Sequence, residues 1–131
     1  MSGERILMPK SLAFAKRIVF AYRYLSEEKK EYVLSKQILR SGTSIGANIA
    51  EAQYGSSRRD FLNKLYIALK ECAETLYWLE LLYSCGYISR TEYDSLHSDC
   101  EELRKLLSSI TKSVHDGTIP NWISGGTAGS R

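Results

Sequence analysis

Residues 40–52 read RSGTSIGANIAEA. The run holds two glycines among small side chains, yet its apolar residues recur at helical spacing. A glycine inside a helix costs roughly 1 kcal/mol relative to alanine, so two of them need a physical reason. One reading is a loop that cradles a phosphate. Such a loop needs a glycine-rich turn between a strand and a helix, and its nucleotide form ends in Gly-Lys-Ser/Thr. No such lysine follows Gly42 or Gly46, and nothing strand-like precedes them. The other reading is a helix whose backbone comes close to a neighbour. Leu34, Ile38, Ile45 and Ile49 form an apolar stripe, while Gly42, Gly46 and Ala50, four residues apart, form a row that a second helix can approach. Gln37, Ser41, Ser44, Asn48 and Glu51 make an adjacent polar row. The spacing predicts a tightly packed helix.

Three more helices surround it in sequence. The first is expected over residues 11–26, just after Pro9, with a seam of Phe14, Ile18, Ala21 and Leu25 and a second of Leu12, Ala15, Val19 and Tyr22. The glycine-bearing helix is expected over 33–54. A third, over 57–85, has Ser57 as its N-cap and Gly86 as its stop signal. Its seam is Phe61, Leu65, Ala68, Cys72, Thr75, Leu79 and Leu82. The fourth, over 90–114, opens with Ser89-Arg90-Thr91-Glu92, a capping box. Tyr93, Leu96, Cys100, Leu103, Leu107, Ile110 and Val114 then alternate by three and four, the pattern of a bundle seam. Glu101 and Lys105 are spaced for an i, i+4 ion pair. The expected fold is all-α, an antiparallel up-down four-helix bundle over residues 1–115, followed by a flexible C-terminal tail over 116–131 in which Trp122 is the residue expected to dock back.

The 131 residues suit one domain, and 44% hydrophobic with 25% charged residues is ordinary for a globular chain. No apolar run reaches the length of a membrane span, and MSGERILMPK lacks a signal-peptide core, so the expected location is the cytoplasm. Cys72, Cys85 and Cys100 have no metal-ligand spacing and read as reduced thiols. A di-iron bundle needs Glu-x-x-His on two helices; one Asp94-x-x-His97 is a poor match, and His97 and His115 are expected to face solvent. No metal and no cofactor is expected. Ser41 and Ser44 near Asn48 and Glu51 resemble the start of a catalytic group, but neither histidine falls on this helix to act as base. No catalytic residue is assigned, and the row reads as a polar network joining helices or subunits.

Charge is unevenly spread. Residues 1–70 hold 13 Lys/Arg against 6 Asp/Glu, and residues 71–131 hold 5 against 9, within a net charge of +3. Lys16, Arg17 and Arg23 on the first helix, Arg40 on the second, and Arg58, Arg59 and Lys64 opening the third are the candidate nucleic-acid contacts. Tyr77, Trp78 and Leu81, with Phe20 and Tyr24, lie off the main seams and are candidate interface residues for a homo-oligomer.

The runs LSKQILRSGTSIGANIAEA, SSRRDFLNKLYIALKECAETLYWLELL and GYI resemble the bacterial four-helix bundle proteins, also called 23S rRNA intervening-sequence proteins, over roughly residues 9–114. Members are encoded in sequences inserted in large-subunit rRNA genes and elsewhere. The resemblance implies a homopentamer of antiparallel four-helix bundles with no established catalytic residue. A more distant relative, the accessory protein of diversity-generating retroelements, binds nucleic acid and a reverse transcriptase. The matching positions are Arg40, Ser41, Ser44, Asn48 and Glu51, then Asp60, Phe61, Lys64, Lys70, Glu71, Glu74 and Trp78; Ala52 stands where many members have glycine. The expected function is a non-enzymatic, oligomeric RNA- or DNA-binding module. The alternative is a scaffold that binds a protein partner and has no nucleic-acid role.

Overall fold

A Cβ placed on Gly42 would lie 2.7 Å from Ile18 Cγ1 and 2.9 Å from its Cγ2, and one on Gly46 would lie 3.1 Å from Ser11 Oγ. The glycine row is therefore where the first helix seats against the second. In the computed structural model, which describes residues 2–117 with side chains from Ile6 onward, four α-helices follow one another: α1 (Ser2–Arg23), α2 (Leu34–Ala52), α3 (Arg58–Ser84) and α4 (Arg90–His115). A single π-helical turn, Tyr24–Glu28, ends α1. No strand occurs among the described residues. The helix α2 runs unbroken through both glycines.

Each helix packs on its chain neighbour, and α4 returns to α1, so α1 and α3 occupy opposite corners. Side-chain pairs show the running directions. Ile18 meets Gly42 while Ser11 meets Gly46; Ser41 bonds Thr75 while Glu51 pairs with Lys64. On the last hairpin Tyr83 stacks on Tyr93 while Cys100 meets Cys72, and across the closing side Lys10 meets Glu102 while Arg17 meets Asp99. Neighbouring helices thus run in opposite senses. All seven predicted seam residues of α3 are buried, and so are six of the seven on α4, Tyr93 being half-buried.

Local signals set the ends. Ser57 Oγ accepts from the Asp60 amide, and Ser89 and Glu92 make the reciprocal capping box. Gly86, at φ 83°, takes the left-handed conformation that lets the Tyr87 amide bond the Leu82 carbonyl and its own amide bond Tyr83. The α1 start differs from expectation. The helix begins at Ser2 and Pro9 lies inside it. An interior proline costs about 3 kcal/mol, but the added N-terminal stretch carries Leu7, which is fully buried and recovers about 2 kcal/mol. Leu12, expected on a broad apolar face, is instead exposed. Glu101 pairs with Arg104 at 2.8 Å rather than with Lys105. The expected tail lies outside the described residues from Thr118 onward.

The Cβ distances give a graded expectation. Gly46→Ala gains helix propensity against a contact that moves by a few tenths of an ångström, and stability should change by less than about 1 kcal/mol. Gly42→Ala meets a side chain with no room to yield and should lose roughly 1–3 kcal/mol. In a double-mutant cycle by urea unfolding, Ile18→Ala should relieve that clash, so the pair costs less than the sum of its parts.

Candidate functional site

The polar row of α2 meets α3 along one seam. Arg40 reaches across with one nitrogen 3.3 Å from Glu71 Oε2 and another 2.6 Å from Glu74 Oε2. Trp78 Nε1 donates to the same Glu74 oxygen at 3.0 Å. Arg40 foremost, then the Trp78 indole, holds the Glu74 carboxyl below the usual carboxylate range. The two carboxylates raise the Arg40 guanidinium in turn. Glu71 Oε1 is buried with no hydrogen-bond donor among the described residues, and Arg40 is the cation that meets the other oxygen of that carboxylate. Beneath this cluster, Ser41 and Thr75 share a hydroxyl–hydroxyl hydrogen bond of 2.8 Å in the buried interior, and Thr75 Oγ1 also lies 2.8 Å from the Glu71 carbonyl.

The rest of the row splits up. Ser44 donates to the Arg40 carbonyl and Asn48 to the Ser44 carbonyl, both within α2. Glu51 crosses to Lys64 at 2.8 Å. Ser41 is fully buried and its hydroxyl is engaged with Thr75, so no substrate can reach it as a nucleophile. Among the described residues no three metal-binding side chains converge. His97 is half-buried beside Tyr93, and His115 is exposed next to Asp116.

The seven basic candidates do not form one patch. Arg17 lies between Asp99, at 2.7 Å, and the Ser95 hydroxyl, at 2.9 Å, on α4. Arg40 and Lys64 are paired as above. Lys16 and Arg23 project from α1, Arg23 over the exposed Phe20 ring. Arg58 and Arg59 project from the start of α3, at the opposite corner. Asp60 beside them is held in the turn by the Ser56 hydroxyl and amide, which lower its carboxyl below the usual range, Ser56 Oγ foremost. Arg58 and Arg59 therefore have no acidic partner among the described residues.

Two further residues extend that cationic end. Tyr66 and Lys70 are exposed and follow Arg59 by seven and eleven residues, which puts all three on the outward face of α3. Higher on the same helix, Tyr77 is 59% exposed and packs edge-on against half-buried Trp78, with Leu81 half-buried nearby.

A family model described as 23S rRNA-intervening sequence protein matches residues 4–109. The chain belongs to that family. A crystal structure of a protein of unknown function from the S23 ribosomal protein family of Bacteroides thetaiotaomicron is 58% identical to this family member, covers 84% of this chain and 98% of its own, and superposes with a TM-score of 0.83. No curated protein matches. In this family member, sequence reasoning missed the acceptors that occupy the cations. Asp99 and Ser95 are distant in sequence from Arg17, and no local spacing reveals them. It also missed Glu31, whose carboxylate accepts from the Val33 and Ser35 amides and caps α2. Tyr66 and Lys70 were within reach, because their period to Arg59 is helical.

The lowered Glu74 carboxyl has a sign that can be measured. A depressed carboxylate contributes stability that is present above its unfolded value, about pH 4.3, and lost as pH falls through its folded one. In this family member Arg40→Gln should therefore melt below wild type at pH 7, by an amount on the order of 1 kcal/mol given the half-exposed guanidinium. The gap should narrow by pH 3. A gap unchanged at pH 3 would assign the effect to packing of the Arg40 stem.

Proposed function

We propose that this chain is a non-enzymatic module that binds nucleic acid through the phosphate backbone and works as a homo-oligomer in the cytoplasm, pentameric as the family resemblance implies. The observation that carries the reading is the outward base of α3. There Arg58 and Arg59 have no acidic partner among the described residues, and Arg59, Tyr66 and Lys70 alternate charge with an exposed ring along one face. Cations at the first turn of a helix oppose its dipole, each at a cost of typically 0.3–1 kcal/mol. Their placement does nothing for the stability of α3 and suits an anionic ligand. Exposed rings between cations give bases a stacking surface while the cations neutralise phosphates.

Arg17, Arg40 and Lys64 are engaged within the bundle and contribute less. Repetition of one small cationic site around an assembly makes binding multivalent. Nothing along α3 supplies a base-reading set, so affinity should follow backbone charge. Among the described residues no helix is long and apolar enough to cross a membrane.

Gel shifts with structured RNA and duplex DNA at rising salt test the reading. Binding should weaken steeply with salt, and Arg58→Ala/Arg59→Ala should weaken the shift at every salt concentration and flatten the slope by about 2 per engaged subunit. Lys105→Ala on α4 should leave it unchanged. No shift at the lowest salt would favour the scaffold alternative.

A further inference from the structure

The two outward corners of the bundle carry opposite charge at the same height. Residues 6–26 contain no Asp or Glu. Lys10 and Arg17 are matched by Glu102 and Asp99 of α4, which leaves Lys16 and Arg23 exposed without an acidic partner among the described residues, with Phe20, 62% exposed, between them. Residues 71–84 contain three glutamates and no Lys or Arg. Glu71 and Glu74 are engaged by Arg40, whereas Glu80, one turn beyond exposed Tyr77, is exposed and has no ion-pair partner among the described residues.

The register follows from the contacts. Ile18 seats on Gly42, and the adjoining Ser41 bonds Thr75, so Ile18 and Thr75 lie level. The helices α1 and α3 run in the same sense, which brings Phe20 level with Tyr77 and Arg23 level with Glu80. In one copy these faces point away from each other. Two copies side by side with parallel axes can bring them together. The receiving surface is also concave. Beside Phe20 a groove of about 300 Å³ opens between α1 and the start of α4, with Ala21, Tyr24, Ile88 and Leu96 in its wall and the charged Arg17 and Glu92 also lining it.

We propose that the outward face of α3 in one copy docks on α1 of a second copy, with Tyr77 entering the groove beside Phe20 and Glu80 meeting Arg23. The proposal rests on the self-assembly in the reading above and names the contact that builds it. An aromatic anchor in an apolar recess with charges at its edge is the usual composition of an interface centre. Because the two faces differ, the contact is head-to-tail, and each added copy leaves one face of each kind open until the assembly closes on itself.

Sedimentation velocity on the full chain without nucleic acid tests it. Tyr77→Arg and Phe20→Arg, each shown by circular dichroism to be helical, should both sediment as monomers at tens of micromolar. Mixed in equal amounts, they retain one intact pair of faces and should form a dimer and nothing larger. Arg23→Glu and Glu80→Arg should each reduce assembly at least tenfold in concentration dependence, and the double exchange should restore it; this arm also decides the matter if a ring substitution fails to fold. Retention of wild-type mass by Phe20→Arg, or a mixture that stays monomeric, overturns the contact. A monomeric wild type overturns both the contact and the assembly it rests on, while the salt-dependent gel shift still reads phosphate binding separately. Arg58→Ala/Arg59→Ala should keep wild-type mass.

Discussion

The missing Cβ of Gly42 sets how near α1 and α2 come, and that distance fixes the heights at which other side chains meet. With Ile18 seated on the Gly42 backbone, Ser41 is turned toward α3, where it finds Thr75. Arg40, one residue earlier, then lies over Glu71 and Glu74. A larger residue at position 42 would push the helices apart and loosen the hydroxyl pair and the ion cluster together. The helical cost of glycine, roughly 1 kcal/mol, is offset by the burial of Ile18 and by the polar seam that this burial aligns.

The helix α3 divides into halves with different work. Its first half carries Arg58, Arg59, Lys64 and Lys70; its second carries Glu71, Glu74 and Glu80. Asp60 in the first turn is the one charge there that favours the helix dipole, so burial of Phe61, Leu65, Leu79 and Leu82 carries most of the helix. The outward charges are then available for contacts beyond the chain, phosphates at one end and a second copy at the other. The same polarity appears in the whole molecule, basic through residue 70 and acidic after it.

Periodicity made the four helices legible, because each core seam repeats over several turns and any error in one position is corrected by the next. Capping made the starts of α3 and α4 legible, since Ser57 and the Ser89–Glu92 box act within one turn. The start of α1 was not legible. Pro9 normally marks a first turn, and only the burial of Leu7, a tertiary fact, carries the helix past it. The polar row was legible as a row, but its division into Ser41 facing α3 and Ser44 and Asn48 bonding their own backbone depends on the helix crossing. Which cations stay available was least legible, because Arg17 and Lys10 find their acids on α4, about eighty or more residues away.

The thiols give the molecule a built-in clock. Cys85 is exposed at the end of α3, whereas Cys72 and Cys100 touch in the interior, where the neighbouring thiol and burial push Cys100 far above the ordinary cysteine range. A thiol reacts as its thiolate. An alkylating reagent therefore modifies Cys85 directly and reaches the other two only when α3 and α4 separate. The rate of the second and third modifications reports the opening of this hairpin without an added probe, and a ligand or second copy that holds the bundle closed slows them while leaving Cys85 unchanged.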